Sequence, residues 1–122
     1  MTRTEIAKLP QFDIRAPNAR PPGRLVIHDL RKGTGAKMRA GDSMLVDFAG
    51  VKYGETLHTT AATKNRPEKF GFDEVIEGWQ QGLPGMKVGG RRELIVPKGL
   101  GDAGSTAVYL VDLLAIYPTA RE

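Results

Sequence analysis

The sequence predicts an α+β domain in which an antiparallel sheet wraps on one short helix. Three observations carry this: several short runs with period-two apolar spacing, a single segment with helical spacing, and 15 glycines with 8 prolines in 122 residues. Glycine and proline at that density cut a chain into tight turns, which suits strands better than a helical bundle. The length fits one hydrophobic core and is short for two.

The elements follow in order. Residues 1–24 read as an extended lead-in, because Pro10, Pro17, Pro21, Pro22 and Gly23 punctuate it and proline forbids a helix interior. Residues 25–30 form a short β-rich run, closed by the turn Lys32-Gly33-Thr34-Gly35. After the turn signal Gly41-Asp42, residues 43–51 alternate as a strand, with Met44, Val46 and Phe48 on one face and Asp47 on the other. Gly54 marks a hairpin, and residues 55–60 return as a strand.

The helix is expected to start at Asp73 as N-cap, to carry Glu74 and Glu77 in its first turn, and to end at Gly82. Val75, Trp79 and Leu83 fall on one stripe at i, i+4 and i+8, and Gly78 inside it costs about 1 kcal/mol relative to alanine. Residues 91–96 form a strand stopped by Pro97, and a loop with Gly99, Gly101 and Gly104 follows. Residues 108–117 are apolar apart from Asp112, which places this last strand centrally with both faces covered. Arg91-Arg92 is read as a solvated strand face.

Composition narrows the function. The chain has no cysteine, so disulfides and thiolate chemistry are excluded. The opening residues build no apolar core of a signal peptide, and the longest apolar stretch, 109–117, contains Asp112 and is too short to span a bilayer. A cytoplasmic location is expected for the chain as it stands, and an extracytoplasmic one if a signal preceded it. Net charge is +4, with residues 1–39 carrying nine basic groups against Glu5, Asp13 and Asp29, hence +6, and the remainder −2. No zinc ligand set, aromatic RNA-binding pair or recognition helix accompanies this charge, so it reads as solvated surface rather than a nucleic-acid site. His58 and His28 lack an acidic cluster at ligand spacing, and no metal is assigned to them. By pattern alone Val75, Ile76, Trp79, Phe48 and Tyr109 are core residues.

A larger pattern changes that reading. The segments Gly33-Thr34-Gly35, Gly41-Asp42, Glu74-Val75-Ile76-Glu77-Gly78-Trp79, Gly85-Met86-Lys87-Val88-Gly89-Gly90-Arg91-Arg92 and Val111-Asp112-Leu113-Leu114 stand in an order and spacing that resemble the FKBP-type peptidyl-prolyl cis-trans isomerases, over residues 25–117. The resemblance implies a five- to six-stranded half-barrel around one short helix, a flanking N-terminal arm of 1–24 and a tail of 118–122. It also implies a soluble isomerase that assists folding of proline-containing protein or peptide clients, works as a monomer, uses no cofactor and spans no membrane.

The same resemblance assigns a pocket. Trp79 would floor it, Val75 and Ile76 would supply a wall and a backbone N–H for a ligand carbonyl, Phe70 would come from the loop before the helix, and Tyr109 from the last strand. Phe48 falls where the family carries a tyrosine hydroxyl, Leu57 where it carries an aromatic ring and His58 where it carries the carboxylate; a one-residue slip pairs His58 and Thr59 with the last two positions instead. Glu68 replaces an aromatic residue. The loop of residues 97–105, with Leu100, is short and has no aromatic side chain. These departures imply weak isomerase activity and weak macrolide binding, or a catalytically degenerate chaperone or protein-binding module.

Overall fold

The computed structural model describes residues 1–17, 19–59, 66–101 and 104–118. Thr60, Asp102, Ala103 and most of the expected C-terminal tail lie outside them. A short helix α1 (Arg3–Ala7) precedes β1 (Asp13–Ile14), β2 (Val26–Arg31), β3 (Ser43–Lys52), β4 (Leu57–His58) and β5 (Glu68–Phe70). A 3-10 turn at Phe72–Glu74, the helix α2 (Glu77–Gly82), β6 (Arg91–Val96) and β7 (Ala107–Tyr117) complete the order. One sheet has five antiparallel strands in the order β2-β6-β7-β3-β5, and β1 pairs with β4 in a separate ribbon.

Strand β7 lies inside this sheet, and its alternation feeds two cores. Val111 and Leu113 join Met44, Val46, Leu94, Val96, Trp79, Leu83 and Met86 on the side covered by α2. Val108 and Leu110 point the other way and pack with Phe12 and Ile14. The covered second face is the reason the strand reads as continuously apolar.

What covers it is the N-terminal arm, and here the structure differs from an extended lead-in. Thr2 caps α1: its Oγ1 accepts from the Glu5 amide at 3.1 Å while Glu5 Oε1 accepts from the Thr2 amide at 2.9 Å. That backbone hydrogen bond holds the Glu5 carboxyl below the ordinary carboxylate range. The prolines start only at Pro10, after the helix has ended, so they never opposed it. Phe12, 1% exposed, is then clamped by Thr59, whose Oγ1 accepts from the Phe12 amide at 2.8 Å.

The largest correction concerns Arg91 and Arg92, which are buried rather than solvated. Arg91 Nε and Nη2 donate to the two oxygens of the fully buried Asp112 at 2.6 and 2.8 Å. Its remaining donors reach Gln11 O at 3.0 Å and Pro10 O at 2.6 Å, and its guanidinium lies 4.4 Å from the Phe12 ring centre. One side chain thus neutralises the acid in β7 and ties the arm to the sheet. Arg92 faces the helix side, where Nε donates to Asp29 Oδ1 at 2.6 Å and Nη1 to Gly82 O, the end of α2, at 2.8 Å. A helix terminus leaves carbonyls without intrahelical partners, and a cation there answers both hydrogen bonding and dipole.

The helix also starts later than Asp73. Val75 and Ile76 are extended (ψ 160° and 156°), so the 3-10 turn and α2 are separate, with Ile76 at the N-cap. Two adjacent β-branched residues suit extended backbone better than a helix, which favours a break at this place.

Removing the Asp112 carboxylate leaves Arg91 buried and unneutralised. Asp112→Ala is expected to cost about 3–5 kcal/mol in urea unfolding, and Arg91→Met added to it should recover part of the loss, because an apolar pair avoids the stranded charge.

Candidate active site

Four aromatic rings meet over α2. Phe48 projects from β3, Phe70 from β5 and Tyr109 from β7, and each stands close to edge-on to the Trp79 indole, with ring centres at 5.0, 6.2 and 5.6 Å. Phe48 and Phe70 also meet each other at 6.0 Å. With Val75, Ile76 and Glu74 these rings line an open cavity of about 210 Å³. T-shaped contacts place the positive edge of one ring against the negative face of another, and such pairs add to area burial. The rings therefore hold one another in place while leaving a concave apolar surface.

Trp79 is set at this depth by two glycines. A Cβ on Gly78 would sit 2.6 Å from Val96 Cγ1, and one on Gly82 would sit 2.8 Å from Leu94 Cδ2. Glycine is what lets α2 come this close to β6. The Gly78 amide then donates to Leu100 O at 2.8 Å. On the opposite wall, the Tyr109 ring lies over Gly50, where a Cβ would be 2.6 Å from Cδ1.

Polar groups in the cup are few. The Trp79 Nε1 is buried and has no hydrogen-bond partner among the described residues. The Ile76 amide, at the N-cap, likewise donates to no described group, while its carbonyl receives the Trp79 and Gln80 amides at 3.0 and 3.1 Å. Glu74 at the rim accepts from the Gly71 amide at 2.6 Å. The cup can take up an apolar ring and offer one backbone donor to a carbonyl.

Of the residues singled out from sequence, the fold brings together Phe48, Phe70, Val75, Ile76, Trp79 and Tyr109. It sets Leu57 and His58 elsewhere. Their strand β4 pairs with β1 on the arm side of the sheet, so Leu57 packs beside the Phe12 cluster and His58 Nδ1 pairs with Asp13. The slipped register fares no differently, since Thr59 is engaged with Phe12. Glu68 is exposed at the start of β5 and outside the cup; Leu100 packs behind the helix against the core. Glu74 was missed as a lining residue. Its signal was its place directly before Val75-Ile76, where it reads only as helix-start acid.

Comparison with known proteins decides the family. The model of the FKBP-type peptidyl-prolyl cis-trans isomerase family matches residues 34–114. The chain belongs to that family. An FK506-binding protein of Streptomyces anulatus is 37% identical over 121 residues, covering 88% of this chain and 96% of that protein. FkpA from Escherichia coli superposes with a TM-score of 0.65 at 31% identity, over 77% of this chain and 48% of FkpA. A peptidyl-prolyl cis-trans isomerase from Pseudomonas syringae pv. tomato gives 0.64 at 25% identity, over 77% and 76%. The family's fold and the isomerase function attached to it thus agree with a cup floored by a helix tryptophan.

The glycine constraint is testable. Gly78→Ala should gain about 1 kcal/mol of helix propensity yet lower stability by about 1–3 kcal/mol through the clash with Val96. A urea midpoint measures the sum, and Val96→Ala in the same chain should return part of the loss.

Proposed function

We propose that the cup over Trp79 seats the proline ring of an X-Pro segment in a protein client and that the isomerisation takes place there. The arrangement of Phe48, Phe70 and Tyr109 edge-on around the indole, beside the unengaged Ile76 amide, is the observation that carries this reading. A peptide bond rotates over a barrier of ~18–20 kcal/mol because amide resonance is lost in the twisted state. The planar amide is the more charge-separated form, so an apolar lining favours the twisted one relative to water. The Ile76 N–H would hold a client carbonyl outside the rotating bond and so position that bond over the indole. No side chain need exchange a proton.

Catalysis on this reading is modest. Phe48 brings no hydroxyl to the cup, and His58 stands on the arm side, so neither supplies a polar contact to the twisting bond. None of the described residues of the loop 97–105 lines the cup, so a macrolide would find few contacts on that side and bind weakly. The family's small-molecule ligands are therefore poorer probes than proline peptides.

Exchange spectroscopy by NMR on an X-Pro peptide tests the assignment. Acceleration is expected with the native chain and should fall about tenfold or more in Trp79→Leu and Tyr109→Ala, a loss of at least about 1.4 kcal/mol in transition-state stabilisation. His58→Ala and His58→Asp should match the native rate. Full activity in both cup variants, or a marked loss in His58→Ala, would sink the assignment; binding of the peptide without acceleration would leave a client-docking module in place of an enzyme.

A further inference from the structure

A second cleft lies at the other end of α2 from the cup, with a cavity of about 250 Å³ bordered by Arg31, Lys32, Lys87, Arg92 and Asp29. Four cations face one carboxylate there, and that carboxylate is already bound by Arg92 at 2.6 and 3.3 Å. The helix-end carbonyl of Gly82 is taken by Arg92 as well. Nothing negative in the cleft remains for the lysines.

A fifth cation sharpens the imbalance. Lys37 and Lys87 face each other across an isolated antiparallel bridge. The flanking hydrogen bonds, Met38 N to Met86 O at 2.7 Å and Val88 N to Ala36 O at 2.9 Å, make Lys37–Lys87 a non-hydrogen-bonded pair. In that class opposing Cα atoms are about 4.5 Å apart, and like charges directly opposite are destabilising. Lys32, Lys37 and Lys87 have no acidic partner among the described residues. Arg31 is little better placed. Its Nη2 stands 3.5 Å from Asp112 Oδ1 without a hydrogen bond, because Arg91 already takes both oxygens of that acid.

The scaffold beneath these charges is stiff. A Cβ on Gly33 would lie 2.3 Å from Lys87 O and 2.4 Å from Val88 O, so the turn carrying Lys32 is seated directly on the loop carrying Lys87. Gly35 N donates to Val88 O at 3.0 Å, and Arg31 Nε to Gly89 O at 3.0 Å. Lys32 and Lys87 border the cleft, Lys37 stands across the bridge from Lys87, and cations grouped in this way beside a concavity focus a positive potential. The ligand that answers it is compact and multiply charged. A phosphate group offers up to two charges and three acceptor oxygens on one centre.

The geometry points to a phosphate-anion site formed by Lys32, Lys37 and Lys87 with Arg31, separate from the proline cup. The phosphate comes either as a free oligophosphate or as a phosphorylated side chain of a bound protein.

Thermal unfolding of the full chain tests it at fixed ionic strength, with chloride, inorganic tripolyphosphate, a phosphoserine peptide and the same peptide unphosphorylated. Tripolyphosphate or the phosphopeptide should raise the native Tm above the chloride value, and which of the two does so identifies the source. Lys87→Glu should raise the Tm in chloride by relieving the lysine pair, and calorimetric titration should show phosphate affinity at least tenfold weaker. Lys37→Glu should repeat both effects. No phosphate-dependent shift in the native chain, or an equal shift in both variants, overturns the assignment.

Discussion

The site depends on how closely one short helix approaches one strand. Helix α2 has a single turn and a half, far too little to be stable on its own. It exists because its tryptophan and Leu83 bury against the sheet, and they can do so only because Gly78 and Gly82 present no Cβ to Val96 and Leu94. The same approach brings the Gly78 amide to Leu100 O and fixes the height of the indole. Phe48, Phe70 and Tyr109 are then placed by strands of the same sheet, so the floor and the walls of the cup share one frame. Helix propensity penalises both glycines; the packing they allow outweighs it.

A second constraint works on the opposite face. A central strand with apolar side chains on both sides needs two covers, and only one helix of the core is available. The N-terminal arm supplies the other, with Phe12 and Ile14 against Val108 and Leu110. Its attachment runs through Arg91, which satisfies Asp112 with one edge of its guanidinium and the carbonyls of Pro10 and Gln11 with its other donors. Breaking the pair would therefore loosen the arm as well as the sheet. Arg92 performs the matching task on the helix side, joining Asp29 of β2 to the end of α2.

Much of this was legible in the sequence, and the exceptions have a common cause. Period-two spacing located β3 and β7, and the motif around Val75-Ile76-Gly78-Trp79 marked the floor of the cup. Local pattern could not tell which face of the sheet β4 would occupy, because that follows from its pairing with residues 13–14, more than forty positions away. Nor could it show that Arg91 is buried, although the clue was present: an acid within an otherwise apolar strand must meet a buried cation, and Asp112 faces Arg91 in the ladder. The helix start was misplaced because acidic residues at 73 and 74 look like first-turn residues. The extended Val75 and Ile76 that follow belong to the cup wall instead.

That extended pair links fold to chemistry. Were Asp73 the N-cap of one continuous helix, the Ile76 amide at N3 would be placed to donate to the Asp73 side chain instead of to a ligand. Breaking the helix at two β-branched residues turns them toward the cup and frees one N–H at its edge. On the proposed reading that N–H positions a client carbonyl; a contact made equally in the planar and twisted forms does not lower the barrier, so the rate gain rests on the apolar lining. Neither a hydroxyl at position 48 nor a carboxylate at position 58 enters that argument. On the proposed reading the rings that packing holds over α2 carry the rate gain, and the amide left free at the helix break sets where the client lies.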